Sequence, residues 1–508
     1  MFSGAHALVL NNSHFIDQQA GQSGIEILRE ASNPDASYDS SARDPAPRCF
    51  PGTREQHVED TIHWAVPTVG ADDSLPLFWM KGPAGVGKSA VAQTCVEKLK
   101  AMGKLGAAFF FAVNKTDKAE QFFPTIVYQL ATEFPDYRDL VDQRIRHDRT
   151  ILYKTMATQF RVLVVELFQE LEMKGQGIRK RVAIFIDGLD ECEDVDAQCD
   201  IIKIIAIAAR DRTIPFCWAF FSRPEAHIEG TFAIDDVARI TRTALLPVSR
   251  DADGDVELYL RGGFANILQR RNISLKSPWP SDEDIRTLTR AANGLFIYVA
   301  TALRFIGQPG SLPEESLYAI LATIPNYGSG PMITNTHSSP FAELDAFYML
   351  IMQRIPLEIL PTVLLFLHFL CAFTSDASTN RRSVLFMSNA LGLSELTFKA
   401  VYNHLSAVVH FQDEDGFVPP YHDADTGRSF KYANSAIVSK LGVFIASRLG
   451  GSISFYHKSF YDFLIDSTRS DCFSVASLAM YNAWFKRCLE LRLKYEESLC
   501  FHGSGESN

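Results

Sequence analysis

The chain has 508 residues, and its 49 Lys and Arg against 60 Asp and Glu give a formal net charge of −11. At roughly 150 residues per domain we expect about three domains. A content of 47% hydrophobic and 21% charged residues excludes a disordered or fibrous protein. The acidic balance argues against a nucleic-acid or anionic-membrane binder, because such proteins need a basic face. We therefore expect no nucleic-acid partner.

The cysteine usage and the apolar stretches predict a cytoplasmic protein without a membrane span. Nine cysteines are scattered in an odd number without a CxxC pair, which argues against disulfides or a zinc site and favours a reducing compartment. The first residues lack the basic region and long apolar core of a signal peptide. The most apolar stretch, 359–373, contains Pro361 and His368 and is too short to span a bilayer. We predict a buried helix there.

The first 48 residues differ in character from the rest of the chain. Apolar runs on either side of residues 11–13 indicate a small hairpin at 7–16. Residues 31–47 are rich in Ser, Asp, Ala and Pro, which is typical of a linker. We expect a tail and a linker before the first domain.

Alternating strands and helices are predicted next. Continuous apolar runs predict strands at 77–80, 105–113, 182–186, 217–221 and within 238–248, with a helix at 88–100. Buried strands separated by helices are typical of a parallel sheet with helices on both faces. The predicted fold class is therefore α/β.

The second half of the chain is predicted to be mainly helical. Helical spacing of apolar residues appears at 255–269, 282–306, 314–324 and 341–409, and a last helix is expected at 474–497. A Gly/Ser/Thr/Pro-rich stretch at 326–340 predicts an internal boundary. An apolar segment at 453–456 follows a loop-rich stretch.

A complete GxxxxGK[ST] sequence joins the first predicted strand to the helix that follows it. Its glycines let backbone N–H groups surround a phosphate without interference from a Cβ atom, and the helix N-terminus adds a favourable potential. We expect Lys88 to reach the β- and γ-phosphates and Ser89 to bind Mg²⁺. The predicted phosphate-binding residues are Gly82, Pro83, Ala84, Gly85, Val86, Gly87, Lys88 and Ser89.

An acidic sequence follows the third predicted strand. Asp187 ends that strand, which places its carboxylate at the carboxyl edge of the sheet, where ligands of open α/β sheets bind. We expect Asp187 and Ser89 to hold Mg²⁺. Asp190 and Glu191 come next, and one of them, with Glu191 preferred, is expected to orient or deprotonate an attacking water.

Two further polar sequences follow strands. Arg223, at the end of the fourth predicted strand, is expected to face the γ-phosphate and sense its presence. Residues 114–117 spell NKxD, the guanine-reading signature of small GTPases, but they precede Asp187 and follow the second strand, on the wrong side of the site. We interpret them as a polar loop rather than as a guanine-binding sequence.

Three motifs together resemble the NACHT branch of the STAND P-loop ATPases. They are GPAGVGKS at 82–89, FIDGLDEC at 185–192 and FFSRPE at 220–225. Residues 49–54, 62–64, 109–111 and 125–130 resemble the corresponding segments of the large fungal NACHT and nephrocystin-like N-terminal families. The resemblance covers roughly residues 49–470.

The resemblance implies a switch rather than a fast motor. Such proteins rest with ADP clamped between a nucleotide-binding domain, a helical domain and a winged helix, and exchange for ATP opens them and allows homo-oligomerisation. The implied cofactors are ATP or ADP with Mg²⁺. The implied role is signalling in fungal innate-immunity-like or cell-death pathways, through protein partners that the sequence does not identify.

The resemblance also adds site residues. His457, in a motif at 455–464, matches the winged-helix histidine that touches the β-phosphate of ADP, although a core histidine bonded to a backbone carbonyl is the structural alternative. Thr53 and Arg54 are expected on the adenine side. Phe296 stands where relatives carry the proline of a Gly-x-Pro turn, and we expect it to be a core residue.

The predicted domains follow from these assignments. They are a tail and linker at 1–48, a NACHT nucleotide-binding domain at 49–248, a helical domain at 249–325, a winged-helix-like domain at 326–470 and a C-terminal helix and tail at 471–508. Fungal relatives usually continue into β-propeller, ankyrin or tetratricopeptide repeats, which are absent from this sequence. A natural short form, an incomplete gene model and a protein that works through partners are the open explanations.

Two other functional classes stay open at this point. A nucleotide-binding scaffold without catalysis would have Asp190 and Glu191 misplaced for hydrolysis. A P-loop phosphotransferase is disfavoured by the long helical second half and by the DGLDE sequence at 187–191.

Overall fold

Most of the chain is described by a computed structural model. The described residues are 22–67, 75–111, 119–178, 180–211, 213–273, 278–325, 341–372, 384–412, 421–422, 429–430 and 452–503. The predicted hairpin at 7–16, the NKxD loop at 114–117 and the boundary stretch at 326–340 lie outside these residues.

Five of the described strands form one parallel sheet in the order β2-β3-β4-β1-β5. They are β1 (Leu77–Lys81), β2 (Leu105–Phe110), β3 (Val182–Asp187), β4 (Phe216–Ser222) and β5 (Thr241–Leu245). Every residue of β2, β3 and β4 is buried, as continuous apolar runs require when helices cover both faces. The predicted α/β class is confirmed, although β2 ends at Phe110 rather than at 113.

Helices cover both faces of this sheet. Phe78 and Met80 of β1 point into a core shared with α3, whereas Leu77 and Trp79 point into the core on the other face, shared with α4, α5, α7 and α8. The helices of this part are α1 (Gly24–Ala31), α2 (Glu55–Ala65), α3 (Lys88–Ala101), α4 (Ala119–Glu133), α5 (Pro135–His147), α6 (Met156–Phe160), α7 (Glu166–Met173), α8 (Val195–Arg210), α9 (Ala226–Phe232) and α10 (Asp235–Ala238).

The segment that precedes the sheet is packed on it, so the prediction of a linker at 31–47 is wrong. Two short 3₁₀ helices form at Pro34–Ala36 and Ser41–Arg43, where the side chains of Asn33 and Ser40 accept backbone N–H groups. The guanidinium carbon of Arg43 lies 3.7 Å from the centre of the Phe110 ring. The polar composition here supplies caps and surface contacts rather than flexibility.

The next four helices among the described residues follow the sheet, and one predicted helix is divided between two of them. They are α11 (Asp253–Arg270), α12 (Asp282–Ala292), α13 (Phe296–Ile306) and α14 (Pro313–Leu321). The helix expected at 282–306 is interrupted because Asn293 and Gly294 adopt φ values of +47° and +80°. Left-handed residues of this kind end a helix.

The remaining elements combine helices with short antiparallel strands. They are α15 (Ala342–Gln353), α16 (Leu360–Ala372), α17 (Val384–Leu391), α18 (Glu395–Leu405), β6 (Val409–Gln412), β7 (Tyr421–His422), β8 (Ser429–Phe430), β9 (Ser452–Phe455), α19 (Lys458–Ile465), α20 (Ser467–Ser470) and α21 (Leu478–Gly503). Strand β6 pairs with β9 and β7 pairs with β8. The winged-helix assignment and the domain boundaries stay predictions.

We call α15–α20 together with β6 and β9 the C-terminal lobe. Its buried Phe460 and Phe463 belong to the same continuous hydrophobic core as Phe78 and Phe221 of the sheet. The lobe is therefore packed against the rest of the molecule, with α19 directly after β9. The predicted buried helix is α16, and no helix among the described residues is long and apolar enough to cross a membrane.

Candidate nucleotide-binding site

The loop at 82–87 connects β1 to α3 with two glycines in left-handed conformations. Gly85 has φ +79° and Gly87 has φ +102°, values that L side chains rarely adopt. A Cβ atom added at Gly85 would lie 2.2 Å from Cγ2 of Ile297. A Cβ atom added at Gly87 would have no neighbouring atom within 4 Å. No side chain caps the N-terminus of α3. Its first N–H groups are thus directed at the loop, which suits an anion.

Lys88 folds back over this loop. Its Nζ donates hydrogen bonds to the carbonyl oxygens of Gly82 at 2.7 Å and Pro83 at 2.8 Å. Burial lowers the pKa of Lys88, and the carboxylates of Asp190 and Asp187 oppose that effect. The ammonium is therefore held inside the loop and close to the acidic strand ends, as a phosphate-binding lysine requires.

Ser89 and Asp187 meet at the carboxyl edge of the sheet. The Ser89 side chain lies near the Asp187 carboxyl group and acts to lower its pKa, and Asp187 is only 4% exposed. Burial raises the pKa of Asp187 to about 6, although Ser89, Arg43 and Lys88 act to lower it. The Oδ1 atom of Asp187 is buried without a hydrogen-bond partner. Such an oxygen beside a serine hydroxyl fits a hard cation such as Mg²⁺.

No three His, Cys, Asp or Glu side chains within the described ranges gather into a metal-binding group. A cation bound by Asp187 would therefore need further ligands other than His, Cys, Asp or Glu side chains. The Ser89 hydroxyl, water and phosphate oxygens are the ligands that a Mg²⁺–nucleotide complex supplies. The residues present fit such a complex.

Asp190 and Glu191 lie on a 3₁₀ turn, Leu189–Glu191, directly after β3. Asp190 accepts a hydrogen bond from the backbone N–H of Arg223 at 3.0 Å, and its other oxygen lies 3.4 Å from Arg223 Nε. Burial and the neighbouring Asp190 carboxylate raise the pKa of Glu191. Asp190 is therefore engaged by both the backbone N–H and the side chain of Arg223.

Helix α19 of the C-terminal lobe reaches this acidic edge. The Arg223 guanidinium pairs through Nη1 with Asp462 of α19 at 2.8 Å. From the same helix, Lys458 Nζ donates to the backbone oxygen of Asp190 at 3.1 Å. Sequence reasoning missed Lys458 and Asp462. The only signal in the sequence was that both lie in the motif at 455–464, where His457 alone was singled out.

His457 caps the N-terminus of α19. Its Nδ1 accepts the backbone N–H of Ser459 at 3.1 Å, so the neutral ring carries its proton on Nε2. Burial lowers the pKa of His457 to about 3, helped by the charges of Arg223 and Lys88. The imidazole is therefore a neutral N–H donor close to these two cations. It caps a helix instead of bonding to a backbone carbonyl.

Thr53 and Arg54 directly precede α2, and Arg54 contacts the loop at 82–87. Thr53 is buried and its hydroxyl donates to Phe50 O at 2.7 Å, so this hydroxyl is used locally. Arg54 Nη2 donates to Val86 O at 2.9 Å, and its guanidinium carbon lies 4.7 Å from the Phe296 ring centre. Arg54 therefore touches the loop backbone, whereas Thr53 supports the turn before it.

The 293–298 segment also lies on the loop. Its contact is a hydrogen bond from Ile297 N to Gly85 O at 3.1 Å, which sequence reasoning missed. Phe296, expected in the core, is only partly buried and contacts Tyr259 and Arg54.

A strand, a glycine loop and a helix with a Lys-Ser pair beside a strand-end aspartate define a nucleotide-binding P-loop NTPase. Residues 59–223 match the family model described as Nephrocystin 3, N-terminal. The predicted nephrocystin-like resemblance is therefore confirmed over that segment. Comparison with curated proteins finds no match.

Solved structures give only distant similarity. The Aeropyrum pernix ORC1 protein in complex with DNA aligns with 13% identity and a TM-score of 0.35, covering 88% of this chain and 95% of that one. Drosophila ORC bound to GC-rich DNA and Cdc6 aligns with 13% identity and a TM-score of 0.25, covering 80% of this chain and 62% of that one. These scores are too low to support an argument about function.

Proposed function

We propose that the chain is an adenine-nucleotide-dependent conformational switch of the NACHT/STAND class, with Mg²⁺ and slow ATP hydrolysis. The observation that carries the proposal is the contact of α19 with the loop edge, through Lys458 on Asp190 and Asp462 on Arg223. A lobe that bonds to the residues beside the phosphate loop responds to what the loop binds.

The proposed resting state holds ADP beneath the C-terminal lobe. Lys88 and the N–H groups of the loop would bind the phosphates, and the Nε2–H of His457 would donate to the β-phosphate. The ring is neutral and near Lys88, as that contact needs. A bond made only when the lobe is closed gives differential affinity, which is what allows a ligand to bias two states.

The proposed hydrolysis uses residues of the acidic edge. Ser89 and Asp187 would hold Mg²⁺, which neutralises charge on the phosphates when bound. Glu191 would orient the attacking water. Arg223 would face the γ-phosphate once it is released from Asp462. The slow rate follows from the need to open that ion pair first.

The remaining parts of the proposal rest on the family resemblance. They are assembly into homo-oligomers with ATP, a signalling role in fungal innate-immunity-like or cell-death pathways, unidentified protein partners and a cytoplasmic location. The DNA of the distant ORC complexes belongs to those proteins, and we propose no nucleic-acid partner for this acidic chain.

The decisive experiment is mass-spectrometric identification of the nucleotide that copurifies with the full chain. We expect ADP in the parent and none in Lys88→Ala. Lys98→Ala is the matched control, because Lys98 lies exposed on the same helix, α3. A Lys88→Ala protein that retains as much ADP as the parent would refute the phosphate site.

A second candidate is a nucleotide-binding scaffold without catalysis. It is favoured by the engagement of Asp190 with Arg223 and by the raised pKa of Glu191, which favours a protonated carboxyl group. Phosphate release followed over hours separates the two candidates. Release proportional to protein supports the switch with hydrolysis, whereas nucleotide binding without release supports the scaffold.

A further inference from the structure

Arg223 lies between two carboxylates that come from different parts of the molecule. Asp190 of the sheet edge is 3.4 Å away and Asp462 of the C-terminal lobe is 2.8 Å away. The side chains are largely buried, with 20% of Arg223, 3% of Asp190 and 23% of Asp462 exposed. Charges that are partly withdrawn from water interact more strongly than surface pairs.

Arg223 also belongs to the phosphate side of the site. It follows β4, which pairs with β1 so that Ser222 is the register partner of Lys81, the residue before the loop. Its charge acts on both Lys88 and His457. A third phosphate bound by Lys88 would therefore bring a new anion toward a guanidinium that already has an anionic partner from the lobe.

We propose that Asp462 determines nucleotide preference, because its carboxylate occupies Arg223 in the place of a γ-phosphate. ADP leaves the Arg223–Asp462 pair intact. ATP brings its γ-phosphate close to Asp462, and the two anions repel, so ATP binding separates the pair and releases α19. The inference rests on the proposed function and gives it a named sensor of the third phosphate.

Lys458 provides a comparison within the same helix. It ties α19 to the backbone oxygen of Asp190, but it does not occupy Arg223. Loss of Lys458 therefore loosens the lobe without freeing the guanidinium. Asp345 provides a second comparison, because it pairs with Arg469 at 2.7 Å within the lobe and does not pair with Arg223.

The test measures the Kd values of ADP and of a non-hydrolysable ATP analogue for the full chain in Mg²⁺. For Asp462→Asn we expect affinity for the analogue to rise about tenfold, equivalent to about 1.4 kcal/mol. Affinity for ADP should stay the same or fall. Asp462→Glu, which keeps the charge, should resemble the parent, and Asp345→Asn should leave both affinities unchanged.

Two results would overturn the inference while the proposed function survives. One is an analogue affinity of Asp462→Asn within twofold of the parent. The other is an equal rise in Lys458→Met, which would assign the effect to loosening of the lobe. Thermal melting confirms that each variant is folded, and Asp462→Ser replaces Asp462→Asn if the latter is not. A Lys88→Ala protein that binds both nucleotides like the parent refutes the proposed function itself.

Discussion

The side chain of Ser89, in the first turn of α3, lies near the carboxyl group of Asp187 at the end of β3 and acts to lower the pKa of that group. These residues are 98 positions apart in the chain, and the sheet order places β3 and β1 on either side of β4. Because the Oδ1 atom of Asp187 is buried without a hydrogen-bond partner, this oxygen is suited to an electropositive ligand.

Asp187→Asn should abolish the dependence of nucleotide binding on Mg²⁺. An amide cannot replace a carboxylate as a strong ligand for Mg²⁺, although it is similar in shape. We expect the thermal midpoint without nucleotide to stay equal or rise, since a buried charge is removed. Nucleotide titrations with and without Mg²⁺ check this. An unchanged Mg²⁺ effect would remove Asp187 from the cation site.

Glu191→Gln should slow phosphate release by about 100-fold, within the range of general acid–base contributions, and spare nucleotide binding. The amide cannot take up a proton from water, but it preserves the size of a side chain at the acidic edge. Glu193→Gln is the matched control, because Glu193 is an exposed acid two residues further on. Equal rates for both variants would show that Glu191 takes no part in hydrolysis.

His457→Asn should reduce the acid sensitivity of the protein. The pKa of His457 falls from 6.5 to about 3 through burial and the nearby Arg223, Lys88 and Arg304, so the unfolded chain binds the proton more readily. Its contribution to stability is therefore present above pH 6.5 and lost as the pH falls toward 3. The loss is at most about 1.4 kcal/mol per pH unit. Asn retains an N-cap acceptor without this titration.

Thermal midpoints of parent and His457→Asn at pH 7, 6 and 5 give the comparison. We expect the parent to lose more stability than the variant over this range. Parallel curves would mean that the ring titrates normally in the folded protein and is not the neutral donor described above.

Gly85→Ala should destabilise the loop and prevent nucleotide binding. A Cβ atom would stand 2.2 Å from Ile297, and the φ of +79° costs an L residue about 1–2 kcal/mol in addition. Gly254→Ala is the control, because Gly254 lies in α11 with open space at its Cβ position. We expect it to be neutral or more stable by about 0.5–1 kcal/mol. Thermal unfolding and ADP titrations of both variants test this prediction. A Gly85→Ala protein with the stability and ADP affinity of Gly254→Ala would contradict it.

Local sequence was sufficient for the sheet and the loop. The run at 77–81 is apolar up to Lys81 and is followed at once by the GxxxxGK[ST] residues, so strand, turn and helix are specified by neighbours in the chain. Asp187 was placed at the sheet edge because an apolar strand ends there and parallel strands end together. The roles predicted for these site residues stay predictions that the experiments above address.

Only the tertiary structure decided which distant side chains meet at that edge. Asp462 and Arg223 are 239 residues apart, and their pairing depends on how the C-terminal lobe packs on the sheet through Phe460 and Phe463. Arg43 was predicted within a linker, yet it stacks on Phe110. Hydrophobic burial is non-directional, so a sequence pattern shows that a face is buried but not which surface covers it. The sequence thus determined the phosphate loop and its sheet, and the folded chain determined the contacts that surround them.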